Sequence, residues 1–116
     1  MSKELELYKK FIDGLVEQKE SVTARWIMED GFPKNGDNEE ENKLLQELTP
    51  KQKRILAKIV QNERIGGMHD ALAYMDEMMD LDGLVLQQEG VEYPHDYFES
   101  MHFDFIGRCE GDEWPE

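Results

Sequence analysis

Leu48-Thr49-Pro50-Lys51-Gln52-Lys53-Arg54-Ile55-Leu56-Ala57-Lys58-Ile59-Val60 carries the strongest local signal in the chain. Thr49 can accept a hydrogen bond from the Gln52 backbone N–H, and the Gln52 side chain can reach back to the N–H of Thr49. Pro50 fits the first helical position, where a missing donor costs nothing. A helix is predicted from this point, burying Ile55, Leu56, Ile59 and Val60 and exposing Lys51, Lys53, Arg54 and Lys58. The pair Gly66-Gly67 reads as its end.

Toward the N-terminus, residues 33–38 (Pro-Lys-Asn-Gly-Asp-Asn) have loop composition. Asp37 or Asn38 then caps a short helix with Glu39, Glu40 and Glu41 in its first turn, where the helix dipole favours carboxylates. Leu44, Leu45 and Leu48 form its apolar side. Before the loop, Leu5, Tyr8, Phe11, Ile12, Leu15 and Val16 recur at three- and four-residue steps, which predicts helix over 2–28. The stripe lapses at residues 17–20 and resumes at Val22, Trp26 and Ile27. Ser21 can cap a fresh start there, so the stretch is one kinked helix or two. Gly31-Phe32-Pro33 stops it: glycine takes the left-handed conformation and proline forbids continuation.

Toward the C-terminus, Met68–Met79 reads as a helix with Ala71, Leu72, Met75, Met78 and Met79 inward. Methionines at helical spacing are more often core filler than an adaptable binding surface. The helical period fails after Leu81, and Leu84-Val85-Leu86 and Val91-Glu92-Tyr93 flank a turn at 87–90. Pro94 or Asp96 opens a last helix with Tyr97, Phe98, Met101, Phe105 and Ile106 apolar and Gly107 as its stop. Residues 109–116 form an acidic tail that Trp114 ties down. The expected fold is mainly α: a single domain over 1–116, a compact bundle of about five helices with a small β-hairpin or extended arms near 83–93.

The net charge of −14 is unevenly distributed. Residues 1–65 hold 12 Lys/Arg against 13 Asp/Glu, whereas residues 66–116 hold only Arg108 against 14 acidic residues. A grip on nucleic-acid phosphates needs clustered positive charge, so direct nucleic-acid binding is not expected. The acidic half should repel anionic membranes and attract cations or basic protein surfaces. No apolar run reaches the length of a membrane span, and the N-terminus lacks the continuous apolar stretch of a signal peptide. The lone Cys109 cannot form an internal disulfide, as suits a reducing, cytoplasmic setting. Acidic neighbours Glu110, Asp112 and Glu113 argue against a reactive thiolate there.

Gly66-Gly67-Met68-His69-Asp70, Met101-His102-Phe103-Asp104-Phe105 and Arg108-Cys109-Glu110-Gly111-Asp112-Glu113-Trp114-Pro115 are similar to segments of a family of small uncharacterised bacterial proteins. Ile12-Asp13-Gly14-Leu15, Asp82-Gly83, Gly31-Phe32-Pro33 and Leu48-Thr49-Pro50 fit the same resemblance, which thus spans most of the chain. It implies a domain of unknown function in a bacterial cytosolic protein. No activity, cofactor or catalytic residue comes with it.

All three histidines lie in the acidic half, and histidine with carboxylate is a transition-metal ligand set. His69, His95, Glu99, His102 and Asp104 are the candidate ligands of a divalent metal. Glu99 and His102 have the i, i+3 spacing of di-iron bundles, but such bundles need it twice. The structural readings are a helix-start contact for His69 and, for His102, a half-buried ring bonded to a carboxylate such as Asp104. Phosphate loops, nucleophile elbows, His-Glu-x-x-His and Cys-x-x-Cys are all missing from the sequence, so an enzyme is the less favoured reading. The favoured one is a non-catalytic interaction or inhibitor module without a cofactor, presenting its acidic half to a basic partner. Asp76, Glu77, Asp80, Asp82, Glu92, Tyr93, Asp96, Tyr97 and Trp114 are the expected partner surface. The alternatives are a metal-binding protein or metal-dependent enzyme, and a domain whose acidity serves solubility alone. The apolar surplus of Trp26, Phe32 and the methionines suits either a monomer or a homodimer.

Overall fold

A computed structural model describes residues 2–94 and 100–115. The order among these is α1 (Lys3–Glu17), α2 (Val22–Met28), a 3-10 turn (Gly36–Asn38), α3 (Glu39–Glu47), α4 (Pro50–Leu81), β1 (Gln87–Gln88), β2 (Val91–Glu92) and α5 (Met101–Cys109). The protein is mainly α with a small antiparallel hairpin, as its sequence pattern implies. Its chain divides into two compact units: a terminal unit of Met1–Lys19 with Ile65–Glu116, and a central unit of Glu20–Arg64.

The helix boundaries decide one open alternative and depart from the expectation at another place. Residues 2–28 form two helices: Gln18 N–H returns to the Leu15 carbonyl to close α1, and Ser21 Oγ accepts from Ala24 N–H at 3.0 Å to open α2. The expected stop at Gly66-Gly67 does not occur, and α4 continues for 32 residues, about 48 Å at 1.5 Å per residue. Neither glycine has a positive φ, whereas Gly31, Gly83, Gly90 and Gly111 do. Helical glycines cost about 1 kcal/mol each relative to alanine. Burial of Leu72 and Met79, with Ile65 and Met68 packed against the same core, outweighs that. Gly83 supplies the real stop: at φ +74 it lets Leu84 N–H return to the Met78 carbonyl at 3.1 Å.

In the central unit the Thr49–Gln52 box forms as expected: Gln52 N–H donates to Thr49 Oγ1 at 3.1 Å, and Thr49 N–H donates to Gln52 Oε1 at 2.9 Å. Gly31, at φ +91, brings Phe32 under Asn42, whose side chain bonds both the N–H and the C=O of Phe32. The expected caps of α3 differ: Asn38 makes no side-chain cap bond, and Asn35 caps the preceding 3-10 turn through Asp37 N–H. The core is Ala24, Ile27, Leu45 and Ala57, with Phe32, Leu48, Leu56 and Val60 packed on it. Ile55 and Ile59, expected inside, are exposed. The apolar residues 55, 56, 59 and 60 leave two adjacent stripes open. Small Ala57, and Gln61 accepting from Ser21 N–H at 2.8 Å, turn the Leu56–Val60 stripe inward.

The terminal unit is built on Leu7, Tyr8, Ile12, Leu72, Met79, Tyr93, Met101 and Phe105. Ser2 caps α1 and Ser100 caps α5, so the last helix starts at Met101. The expected starts differ: Pro94 precedes that helix, and Asp96 lies, with Tyr97, Phe98 and Glu99, outside the described residues. In the hairpin Gln87 pairs with Glu92 and Gln88 with Val91. Its two central residues, Glu89 (φ 52) and Gly90 (φ 77), both take the positive φ that a type I′ turn requires. Glutamate thus occupies a place usually held by Asn or Asp. Among the described residues no helix is long and apolar enough to cross a membrane.

Candidate functional site

Asp76 on α4 is a heavily engaged carboxylate of the terminal unit. It is only 6% exposed, and accepts from Met101 N–H at 3.2 Å, His102 N–H at 3.1 Å and His102 Nδ1 at 2.6 Å. A carboxylate at a helix N-terminus satisfies donors that have no partner within the helix and meets the positive end of the dipole. Ser100 Oγ takes the next donor, Phe103 N–H, at 3.3 Å. One acidic side chain of α4 therefore both starts α5 and orients the His102 ring.

His102 packs edge-on against His69, with ring centroids 5.1 Å apart and planes at 85°. His69 Nδ1 lies 3.0 Å from Asp70 Oδ1. Two imidazole–carboxylate pairs thus face each other. The expected helix-start role of His69 falls away because α4 runs through it. The carboxylate partner of His102 is Asp76, 26 residues away, rather than Asp104. Among the described residues no group of three or more His, Cys, Asp or Glu side chains could hold a metal ion. Of the candidate ligands, His95 and Glu99 lie outside those residues, as do Asp96 and Tyr97 of the expected partner surface.

Asp104 faces α1, where Tyr8 Oη–H donates to its Oδ2 at 2.5 Å, and both groups are buried. Burial above all, then the hydrogen bond and charge of Asp104 with a contribution from Asp76, push the Tyr8 hydroxyl far above its ordinary value. This phenol stays protonated and holds α1 to α5. Tyr8 meets Tyr93 at 6.4 Å and Trp114 at 6.0 Å, both edge-on. Tyr93, expected on the partner surface, is instead buried and donates to Gln88; burial raises its hydroxyl too.

The tail is fastened by Asp13. Its carboxylate receives Arg108 Nε at 2.8 Å and Trp114 Nε1 at 3.0 Å. The Arg108 guanidinium lies over the Trp114 ring at 5.1 Å, and its Nη1 donates to the Asp112 carbonyl. Trp114 is half-buried in this role, with a shallow cavity of about 290 Å³ beside it, lined by Phe103, Gly107 and Pro115 among others. Burial raises the Cys109 thiol, opposed by the nearby Lys19 and aided by Glu110, which does not favour a thiolate.

The charge asymmetry follows the folded units. The terminal unit carries five Lys/Arg against eighteen Asp/Glu, the central unit eight against nine. Of the expected partner residues, Glu77, Asp80, Asp82 and Glu92 are exposed, whereas Asp76 is buried. Also exposed in the terminal unit are apolar side chains not assigned to that surface from the sequence: Tyr74 (62%), Leu81 (73%), Val85 and Phe103. Tyr74 and Leu81 had a legible signal, because both fall off the inward Leu72–Met75–Met79 stripe and share a helix face with Asp70 and Glu77.

No curated protein and no solved structure matches the chain. The profile of a family of unknown function, DUF6547, matches residues 1–116, over the segments whose resemblance the sequence suggested. The chain belongs to this family.

Proposed function

We propose that the protein is a non-catalytic interaction module whose terminal unit presents an acidic, partly apolar face to a basic protein. The observation that carries the reading is the exposure of Tyr74 and Leu81 among Asp70, Glu77, Asp80 and Asp82. Large apolar side chains ringed by charge are the makings of a docking surface, with carboxylates steering the partner and the apolar groups holding it. A face that served solubility alone would leave Tyr74 and Leu81 without a role. The setting of this reading is the cytosol of a bacterium, in keeping with a lone cysteine and an acidic surface.

The test is capture from a lysate of the source cell by the immobilised chain, eluted with rising salt and run beside Asp70→Asn/Glu77→Gln/Asp80→Asn/Asp82→Asn. A salt-eluted protein held by the wild type and released by the neutralised chain supports the reading. Identical retention by both, or no retention by either, overturns it.

A further inference from the structure

α4 contributes two exposed faces of opposite charge and similar spacing, one in each unit. On the central unit, Lys51, Ile55 and Lys58 follow one another at steps of four and three, with Ile59 beside them and Arg54 on the flank. Ile55 is 52% and Ile59 59% exposed. Within the described residues, Lys51, Arg54 and Lys58 make no ion pair. On the terminal unit, Asp70, Tyr74, Glu77 and Leu81 follow at steps of four, three and four, with Asp80 on the flank. Such steps place the residues of each set on one helix face. Each face alternates charge with an exposed apolar side chain. The signs are reversed between them.

We infer that the basic face of the central unit docks on the acidic face of the terminal unit of a second copy. This rests on the docking role proposed for the acidic face and names its occupant. Matching spacing lets Ile55 of one copy pack against Tyr74 of the other while Lys51 and Lys58 meet Asp70 and Glu77. Neither face can satisfy itself across two identical copies, because like charges would oppose each other; basic on acidic is the pairing that charge allows. The contact is therefore heterologous: the face one copy offers differs from the face it meets on the other.

Sedimentation of the full chain across a concentration series decides the matter, at about 0.05 M and about 0.5 M salt, where screening differs several-fold. The wild type is expected to exceed its monomer mass of 13.6 kDa as concentration rises, and to fall back toward it in high salt. Lys51→Glu/Lys58→Glu and Asp70→Lys/Glu77→Lys chains should each associate about ten-fold or more weakly. An equimolar mixture of the two should associate again, since each then offers what the other lacks. Restored association in the mixture also shows that both variants fold. A wild type at monomer mass throughout overturns the inference, as does association that both reversals leave intact or a mixture that stays monomeric. A monomeric wild type that still captures a basic protein removes the second copy as occupant and leaves the acidic face standing, so the two readings fail separately.

Discussion

Asp76 and His102, 26 residues apart, meet at 2.6 Å where α4 packs against the start of α5. The same carboxylate takes the backbone N–H groups of Met101 and His102. Asp76→Ala removes all three bonds and leaves two donors at a buried helix start. The expected loss is about 2–4 kcal/mol, against about 1 kcal/mol for His102→Ala, which leaves the cap in place. Urea unfolding at neutral pH measures both. Equal losses would show that the ring, and not the cap, matters at this junction.

Tyr8 and Asp104 give the protein an alkaline weakness. In the unfolded chain the phenol releases its proton near its ordinary value of 10.0, while the folded state holds it well above that. The folded-state value is raised, so this contribution is fully present below pH 10 and is lost as pH climbs above it. The limiting slope is about 1.4 kcal/mol per pH unit for one such group. Tyr8→Phe should lower stability at neutral pH by about 1–3 kcal/mol and flatten the decline above pH 10. Denaturant midpoints at neutral and alkaline pH, wild type beside variant, read this out; parallel declines would contradict it.

Gly66→Ala tests whether α4 is continuous. A Cβ added at Gly66 meets nothing within 4 Å, and the residue has no positive φ. Alanine should stabilise the chain by about 0.5–1 kcal/mol. Gly31→Ala should do the reverse, by about 1–3 kcal/mol, because Gly31 sits at φ +91 and its Cβ would lie 2.5 Å from Asn42 Oδ1. A destabilised Gly66→Ala chain would restore the helix stop that the sequence suggested.

Asp13→Ala should release the tail. Trp114 then loses its Nε1 acceptor and Arg108 its carboxylate. In a Trp26→Phe background, the emission of Trp114 should shift to the red while helix content stays unchanged. An unshifted spectrum would mean that ring contacts such as those with Tyr8 and Arg108 hold the indole without Asp13.

What the sequence revealed is what acts over a few residues. The Thr49–Gln52 box, the Ser21 cap and the Gly31 stop each join partners close in the chain, so residue types and spacing suffice. Gly66-Gly67 misled because a glycine pair ends a helix only when nothing beyond it is worth burying, and here Met68, Leu72 and Met79 pack on the terminal core. Ile55 and Ile59 misled because four apolar residues across two stripes do not say which stripe turns in. Asp76–His102 and Tyr8–Asp104 were beyond reach for a different reason: with 27 acidic residues, spacing cannot choose the one carboxylate a given ring or phenol will meet. Tyr93 reads as surface until the hairpin folds it against Phe11, with ring centroids 5.0 Å apart.

The exposed acidic face of α4 is the centre of the functional account, and its apolar members separate docking from simple charge. Capture from lysate by Tyr74→Ser/Leu81→Ser, which keeps every carboxylate, tests it most directly beside the wild type. The account expects the salt-eluted partner of the wild type to be lost or strongly reduced with this variant, whose helix content should be unchanged. Undiminished capture would show that charge alone attracts the partner and would contradict a built docking face.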